Sequence, residues 1–229
     1  SFDRASQKYS SYNYIQSFVF HRLLSFLQVD KASLVVDIGC ASGEHTALLA
    51  DMFSSATTIG LDSSNKMIST AKRRFLNPNL QFQHASFDFL ERLDKIDLII
   101  SNASMQWFED CHSFFNLISL HRARGSQILL SAFLPQTYWQ LAAAIRTCIN
   151  PDFYIPAESF YSQHYYKELC GQFNLDINLS TFKVSTTFKD VSTLMKTIQQ
   201  TGVTVADHRL HLNKTRIERL DNFFNEHFG

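Results

Sequence analysis

The chain has 229 residues, 45% of them hydrophobic, with 21 basic and 21 acidic side chains that cancel to a formal charge of zero. That length suits one α/β domain able to bury about 70% of its unfolded surface, and the dispersed, balanced charge offers no electrostatic footprint for DNA or RNA. No run approaches the roughly 18 apolar residues of a membrane-spanning helix, the start Ser1-Phe2-Asp3-Arg4 lacks the apolar core of a signal peptide, and Cys40, Cys111, Cys148 and Cys170 form no C-x-x-C pair, so a soluble cytoplasmic protein with reduced thiols is expected.

In chain order, residues 10–28 place Tyr14, Phe18, Leu23, Leu24 and Leu27 on roughly one helical face, which predicts a lid or flanking helix. Apolar, β-branched runs then recur at Leu34–Ile38, Thr57–Leu61, Leu80–Gln83, Ile96–Ile100 and Ile128–Phe133. Helix-like stretches at Glu44–Phe53, Asn65–Phe75 and His112–His121 separate them, with Ser63 or Ser64 as N-cap of the second. Alternation of strand and helix implies a parallel sheet covered on both faces, with ligands at the carboxyl ends of the strands. After Leu134-Pro135 the order changes: helices are expected at Trp139–Ile149, Glu158–Cys170, Val191–Gln200 and Lys214–His227, around an aromatic loop from Pro151 to Pro156 and an extended segment from Asp176 to Phe188. This half reads as a substrate cap and a sheet edge. No repeat or linker demands a second domain.

The most informative stretch is Leu34-Val35-Val36-Asp37-Ile38-Gly39-Cys40-Ala41-Ser42-Gly43, an apolar strand running into a small-residue turn and a helix. Such a turn lets a ligand approach the backbone, and the helix amides face it. Asp62, 19 residues beyond Gly43 at the end of the next strand, is spaced to accept from ribose hydroxyls. An ordinary βα turn is the bland alternative. The order Asp37-x-Gly39-x-Ala41-x-Gly43 differs from the dinucleotide fingerprint G-x-G-x-x-G and resembles the S-adenosylmethionine (SAM) motif of class I methyltransferases, with Ala41 where that family usually has Gly.

A second signature, Ser101-Asn102-Ala103-Ser104-Met105-Gln106-Trp107, follows strand four. Asn102 and Gln106 beside Trp107 suit an orienting pocket, or equally a capped strand end over a core Trp. Together with Phe2-Asp3-Arg4-Ala5, Tyr9, Gln16 and the late Leu194-Met195-Lys196-Thr197-Ile198-Gln199-Gln200-Thr201-Gly202, it is similar to the malonyl-acyl carrier protein O-methyltransferase family (BioC) of biotin synthesis. The departures are Ala41, Ser86 in place of the usual acid after strand three with Asp88 nearby, Arg122-Ala123-Arg124-Gly125 for Arg-Pro-x-Gly, and an end at Gly229 where the family adds a closing strand.

The resemblance implies an α/β, doubly wound, Rossmann-like class I methyltransferase sheet with an N-terminal helical lid and a helical cap insertion. It implies one domain over 1–229, with the lid at 1–30, the SAM-binding core at 31–134 and the cap with sheet edge at 135–229. SAM is the implied cofactor, held by Asp37, Gly39, Cys40, Ala41, Gly43, Asp62, Ser63, Met67, Ser86, Phe87 and Asn102. The implied reaction esterifies the free carboxylate of a malonyl thioester on an acyl carrier protein or coenzyme A. A carboxylate is ionised at neutral pH and needs no general base, so positioning carries the catalysis. Tyr9, Asn102, Gln106 and Arg146 are the catalytic candidates, Arg4 a further cation, and for either Arg a structural ion pair is the plain alternative.

Basic clusters at Lys72-Arg73-Arg74 and at Arg209, Lys214, Arg216 and Arg219 are candidate docking patches for an acidic carrier protein, though solvated helix faces explain both equally. His208 and His211 lack an evident third ligand, so no metal is expected. Two alternatives stay open: another small-molecule SAM methyltransferase acting on a free acid or a quinone-like carbon, and a catalytically silent SAM-binding regulator.

Overall fold

A computed structural model of the chain describes residues 14–200 and 212–228. Its centre is a five-stranded, wholly parallel sheet of order β3-β2-β1-β4-β5: β1 Leu34–Ile38, β2 Thr57–Asp62, β3 Leu80–His84, β4 Ile96–Ser101 and β5 Arg122–Leu130. Val36 aligns with Ile59 on one side and Ile99 on the other, so β1 and β4 lie side by side at the point where strand order reverses. That reversal leaves a crevice beyond their carboxyl ends, where open α/β sheets bind ligands.

The period-two alternation of a strand sends successive side chains to opposite faces. On one face Val35, Leu98, Ile100 and Leu129 pack with Phe20 of α1 (Tyr14–Leu24) and with Leu49 and Phe53 of α2 (Glu44–Met52) and its C-cap. On the other, Val36, Ile38, Ile59 and Ile99 meet Phe114, Phe115 and Ile118 of α4 (Cys111–His121) and Leu169 of α6 (Gln163–Gln172). Helix α3 (Asn65–Arg74) seals the β3 end with Ile68 and Ala71 against Phe82. Ser64, one of the two caps expected, accepts from the Met67 amide, and Asp110 does the same for Ser113 at α4.

A separate apolar cluster joins α5 (Trp139–Cys148), α7 (Val191–Gln200) and α8 (Lys214–His227) through Leu141, Ile145, Phe153, Leu194, Ile198 and Leu220. This is the helical cap. Among the described residues no helix is long and apolar enough to cross a membrane.

Four expectations change. Strand five begins at Arg122, directly after α4, and ends at Leu130; Arg122 to Gln127 are only partly covered, so no apolar run marks them. The helix expected over Glu158–Cys170 divides into a 3-10 turn at Pro156–Ser159 and α6, which starts at its own cap Ser162. Residues 176–188 pair with no strand of the sheet and are mostly exposed, so they form no sheet edge. In α1 the buried residue is Phe20, while Tyr14 and Phe18 face outward.

Candidate functional site

The turn after β1 winds through three left-handed residues at alternate positions, Gly39 (φ 78°), Ala41 (φ 48°) and Gly43 (φ 88°). The amides of Gly39 and Cys40 both donate to the Leu61 carbonyl, at 2.8 and 2.9 Å, which ties the turn to the end of β2. Asp62 completes the tie: one carboxylate oxygen accepts from the Ala41 amide at 2.9 Å and the other from the Ser64 amide at 2.8 Å. Ala41 therefore does more than add a methyl group to the loop; its backbone takes a conformation that costs an L-residue about 1–2 kcal/mol.

The glycines are needed for packing. A Cβ on Gly39 would lie 2.0 Å from Ser104 Oγ and 2.6 Å from Ser104 Cβ, and one on Gly43 would meet Phe82 at 2.6 Å and the Ala71 methyl at 2.9 Å. Bulk at these positions first strikes the protein's own loop and core.

Asp37 is 2% exposed, and its Oδ2 accepts from Thr46 Oγ1 at 2.6 Å. Burial raises its pKa to about 7 against the opposing hydrogen bond from Thr46, with the charge of Asp62 adding to the rise. Beside it Glu44, first residue of α2, accepts from Ser42 Oγ and pairs with Arg74. His45 stacks flat on Phe20, ring centroids 4.0 Å apart, and burial pushes its pKa down to about 4, so its imidazole is neutral at physiological pH. The Cys40 thiol is buried and its pKa is driven up, chiefly by burial, which leaves it protonated and unreactive.

The end of β4 faces this turn across a cleft lined by Asp37, Gly39, Cys40, Ala41, Glu44 and His45 on one side and by Asn102 and Gln16 on the other. Asn102 is a tether. Its Nδ2 donates to the Gln16 carbonyl of α1 at 2.9 Å, and its Oδ1 accepts from Ser131 Oγ, which in turn accepts from the Ala103 amide. Gln106 is 7% exposed and braces the same segment, donating from Nε2 to the Ala103 carbonyl at 2.7 Å and accepting from the Phe133 amide.

Of the residues picked from the sequence, Asp37, Gly39, Cys40, Ala41 and Asn102 converge on the cleft, and Gly43 and Asp62 shape its floor. Ser63 is exposed at the end of β2, where its carbonyl meets His84 Nε2. Met67, in the first turn of α3, is fully buried and offers no side-chain surface to a ligand. Ser86 is the cap of the turn after β3, with its hydroxyl on Asp88, and the Phe87 ring packs against Phe108 and Phe114. Arg146 lies in the cap, donating from Nε to the Phe153 carbonyl and from its terminal nitrogen to both Glu158 oxygens, which is the structural ion pair. Tyr9, Arg4, His208, His211 and Arg209 lie outside the described residues. Among the described residues no cluster of metal-ligating side chains occurs. Glu44, His45 and Thr46 were missed; their place in the first turn of the helix after Gly43 was the available signal.

Residues 35–123 match the model of a methyltransferase domain. The chain is similar to malonyl-[acyl-carrier protein] O-methyltransferases from Bacillus anthracis (26% identity over 212 residues, 89% of this chain and 78% of the relative) and Ilyobacter polytropus (26% over 238 residues, 100% and 86%). It is also similar to the trans-aconitate 2-methyltransferase of Deinococcus radiodurans, 47% identical over 76 residues, 33% of this chain and 28% of the relative. The fold matches the crystal structure of YcgJ protein from Bacillus subtilis with a TM-score of 0.64 at 14% identity, over 91% of this chain and 84% of that one. With the parallel sheet, the left-handed turn and the acid after β2, these similarities support a SAM-dependent methyltransferase built on the class I fold.

Proposed function

We propose that this protein transfers a methyl group to the free carboxylate of a malonyl thioester, presented on an acyl carrier protein. The observation that carries the reading is similarity to malonyl-[acyl-carrier protein] O-methyltransferases along 89–100% of the chain. The chemistry of the cleft supports it. A carboxylate nucleophile needs no base, and the imidazole lining the described cleft is a poor one, because burial depresses the pKa of His45. SAM, when bound, supplies an electrophilic methyl group on a sulfonium.

The Asp37 carboxylate gives the cleft the character to receive a cationic cofactor. In this reading Asp37 faces the positive end of the cofactor, the turn 39–43 lies under its methionine part, and Asp62 receives ribose hydroxyls. Ser63, Ser86 and Phe87 contribute through the backbone that follows β2 and β3. Helix α1 and the tethered Asn102 exclude water, and Gln106 holds the strand-four loop in shape. Tyr9 remains the first candidate donor to the substrate carboxylate. Exposed Lys72 and Arg73 are the docking candidates, because Arg74 is engaged by Glu44.

A second reading, methylation of a free small organic acid, is favoured by the 47% identity of one segment to a trans-aconitate 2-methyltransferase. Transfer of labelled methyl from SAM to malonyl-acyl carrier protein, malonyl-coenzyme A and trans-aconitate separates the two. Turnover on the malonyl thioesters is the expected result; turnover on trans-aconitate alone replaces the first reading with the second, and no turnover on any substrate refutes both.

A further inference from the structure

We infer that Gln16, on the helix that covers the cleft, is a direct ligand of the cofactor's α-ammonium group. This rests on the reading of the cleft as the SAM site. The side-chain carbonyl Oε1 of Gln16 is buried and has no hydrogen-bond partner among the described residues. A buried amide oxygen left without a donor costs about 1–3 kcal/mol, so a site that keeps one is shaped for a donor that arrives with the ligand.

Three further observations identify that donor. Gln16 lines the cleft together with Asp37, so the occupant sits between an acceptor-only amide oxygen and a carboxylate, a pair that suits a cation with several N–H groups. Asp37 is 2% exposed with a pKa lifted to about 7, and a cation beside it would restore its ionised form. The nearest imidazole, His45, is neutral, so it places no competing positive charge there.

The placement of Gln16 is built. Its backbone carbonyl is gripped by Asn102 Nδ2, Asn102 is held by Ser131, and Phe20 one turn further along α1 is wholly buried against β1 and β4. Helix α1 is thereby fixed in rotation with position 16 turned inward. An ammonium carries three N–H donors, enough to reach Gln16 Oε1 and Asp37 together.

The test is calorimetric, on the full chain, with S-adenosylhomocysteine and with 5′-methylthioadenosine, which lacks the amino-acid portion and its ammonium. Gln16→Met keeps the length of the side chain and removes the acceptor; Gln16→Glu keeps an acceptor. The expected result is that Gln16→Met binds S-adenosylhomocysteine about tenfold or more weakly, the loss of one hydrogen bond to a charged group, while Gln16→Glu and the affinity of every variant for methylthioadenosine stay within about threefold of wild type. Equal weakening for both ligands would show that Gln16 acts only through the packing of α1 and would overturn the inference, as would unchanged affinity of Gln16→Met for S-adenosylhomocysteine. A wild type that binds methylthioadenosine but gains nothing from the amino-acid portion overturns it too. A wild type that binds neither ligand removes the cofactor reading itself.

Discussion

Gly39→Ala is the sharpest test of how the turn is built, because its cost has two separable parts. The backbone at Gly39 sits at φ 78°, where an L-residue pays about 1–2 kcal/mol. The new methyl would also fall 2.6 Å from Ser104 Cβ, an atom that no side-chain rotation can move, and forced overpacking of this kind costs about 1–3 kcal/mol. Gly39→Ala should therefore lose about 2–5 kcal/mol of stability. Pairing it with Ser104→Gly deletes both clashing atoms and leaves the backbone cost, so the double variant should recover all but about 1–2 kcal/mol. Urea unfolding of wild type, both single variants and the double variant closes the cycle. Equal midpoints for Gly39→Ala and wild type would refute the geometry, and a double variant no more stable than Gly39→Ala would refute the assignment of the clash to Ser104.

Two other predictions concern charge. With its pKa raised from 3.8 to about 7 in the fold, Asp37 contributes stability that is fully present below about pH 4 and is lost as pH rises through about 7. Thermal melts of the cofactor-free protein should show that decline, and Asp37→Asn, which keeps an acceptor for Thr46, should flatten it; an identical slope in the variant would sink the assignment. Arg146→Met should lower stability, because the Phe153 carbonyl and Glu158 lose their partner, while kcat/KM per folded molecule stays within about threefold of wild type. A hundredfold fall in a variant that remains folded would return Arg146 to the catalytic list.

Local chemistry decided what could be read from the sequence. Strand β1 and helix α8 match their expected bounds because the signals at their ends are local: an apolar run closed by Gly39, and an Asn213 cap that accepts from Arg216. The first half of strand β5 escaped because the strand lies at the edge of the sheet, where those residues need no apolar alternation. Residues 176–188 show the opposite failure: Ile177 with Leu179, and Phe182 with Val184, each keep a strand's spacing of two, yet pairing is a long-range event that such spacing does not encode. In the site, Asp37, the turn and Asp62 were legible from spacing. That Ser104 makes Gly39 obligatory and that Asn102 serves as a tether depend on contacts between β1, β4 and α1, which the sequence does not order.

Helix α1 is held at two points by two amide side chains from neighbouring strands. Gln127 of β5 grips the chain just after the helix, donating to the Phe26 carbonyl at 2.7 Å and accepting from the Gln28 amide at 2.8 Å, while Asn102 grips it near the start. Mechanically this is a lever with its fulcrum at residues 26–28 and its latch at residue 16. Lifting the tip would break one hydrogen bond worth about 1 kcal/mol and draw Phe20 from a site where burial contributes about 1.5–3 kcal/mol. On that sum between about one molecule in seventy and one in nine hundred would stand open at any moment, so the latched position dominates.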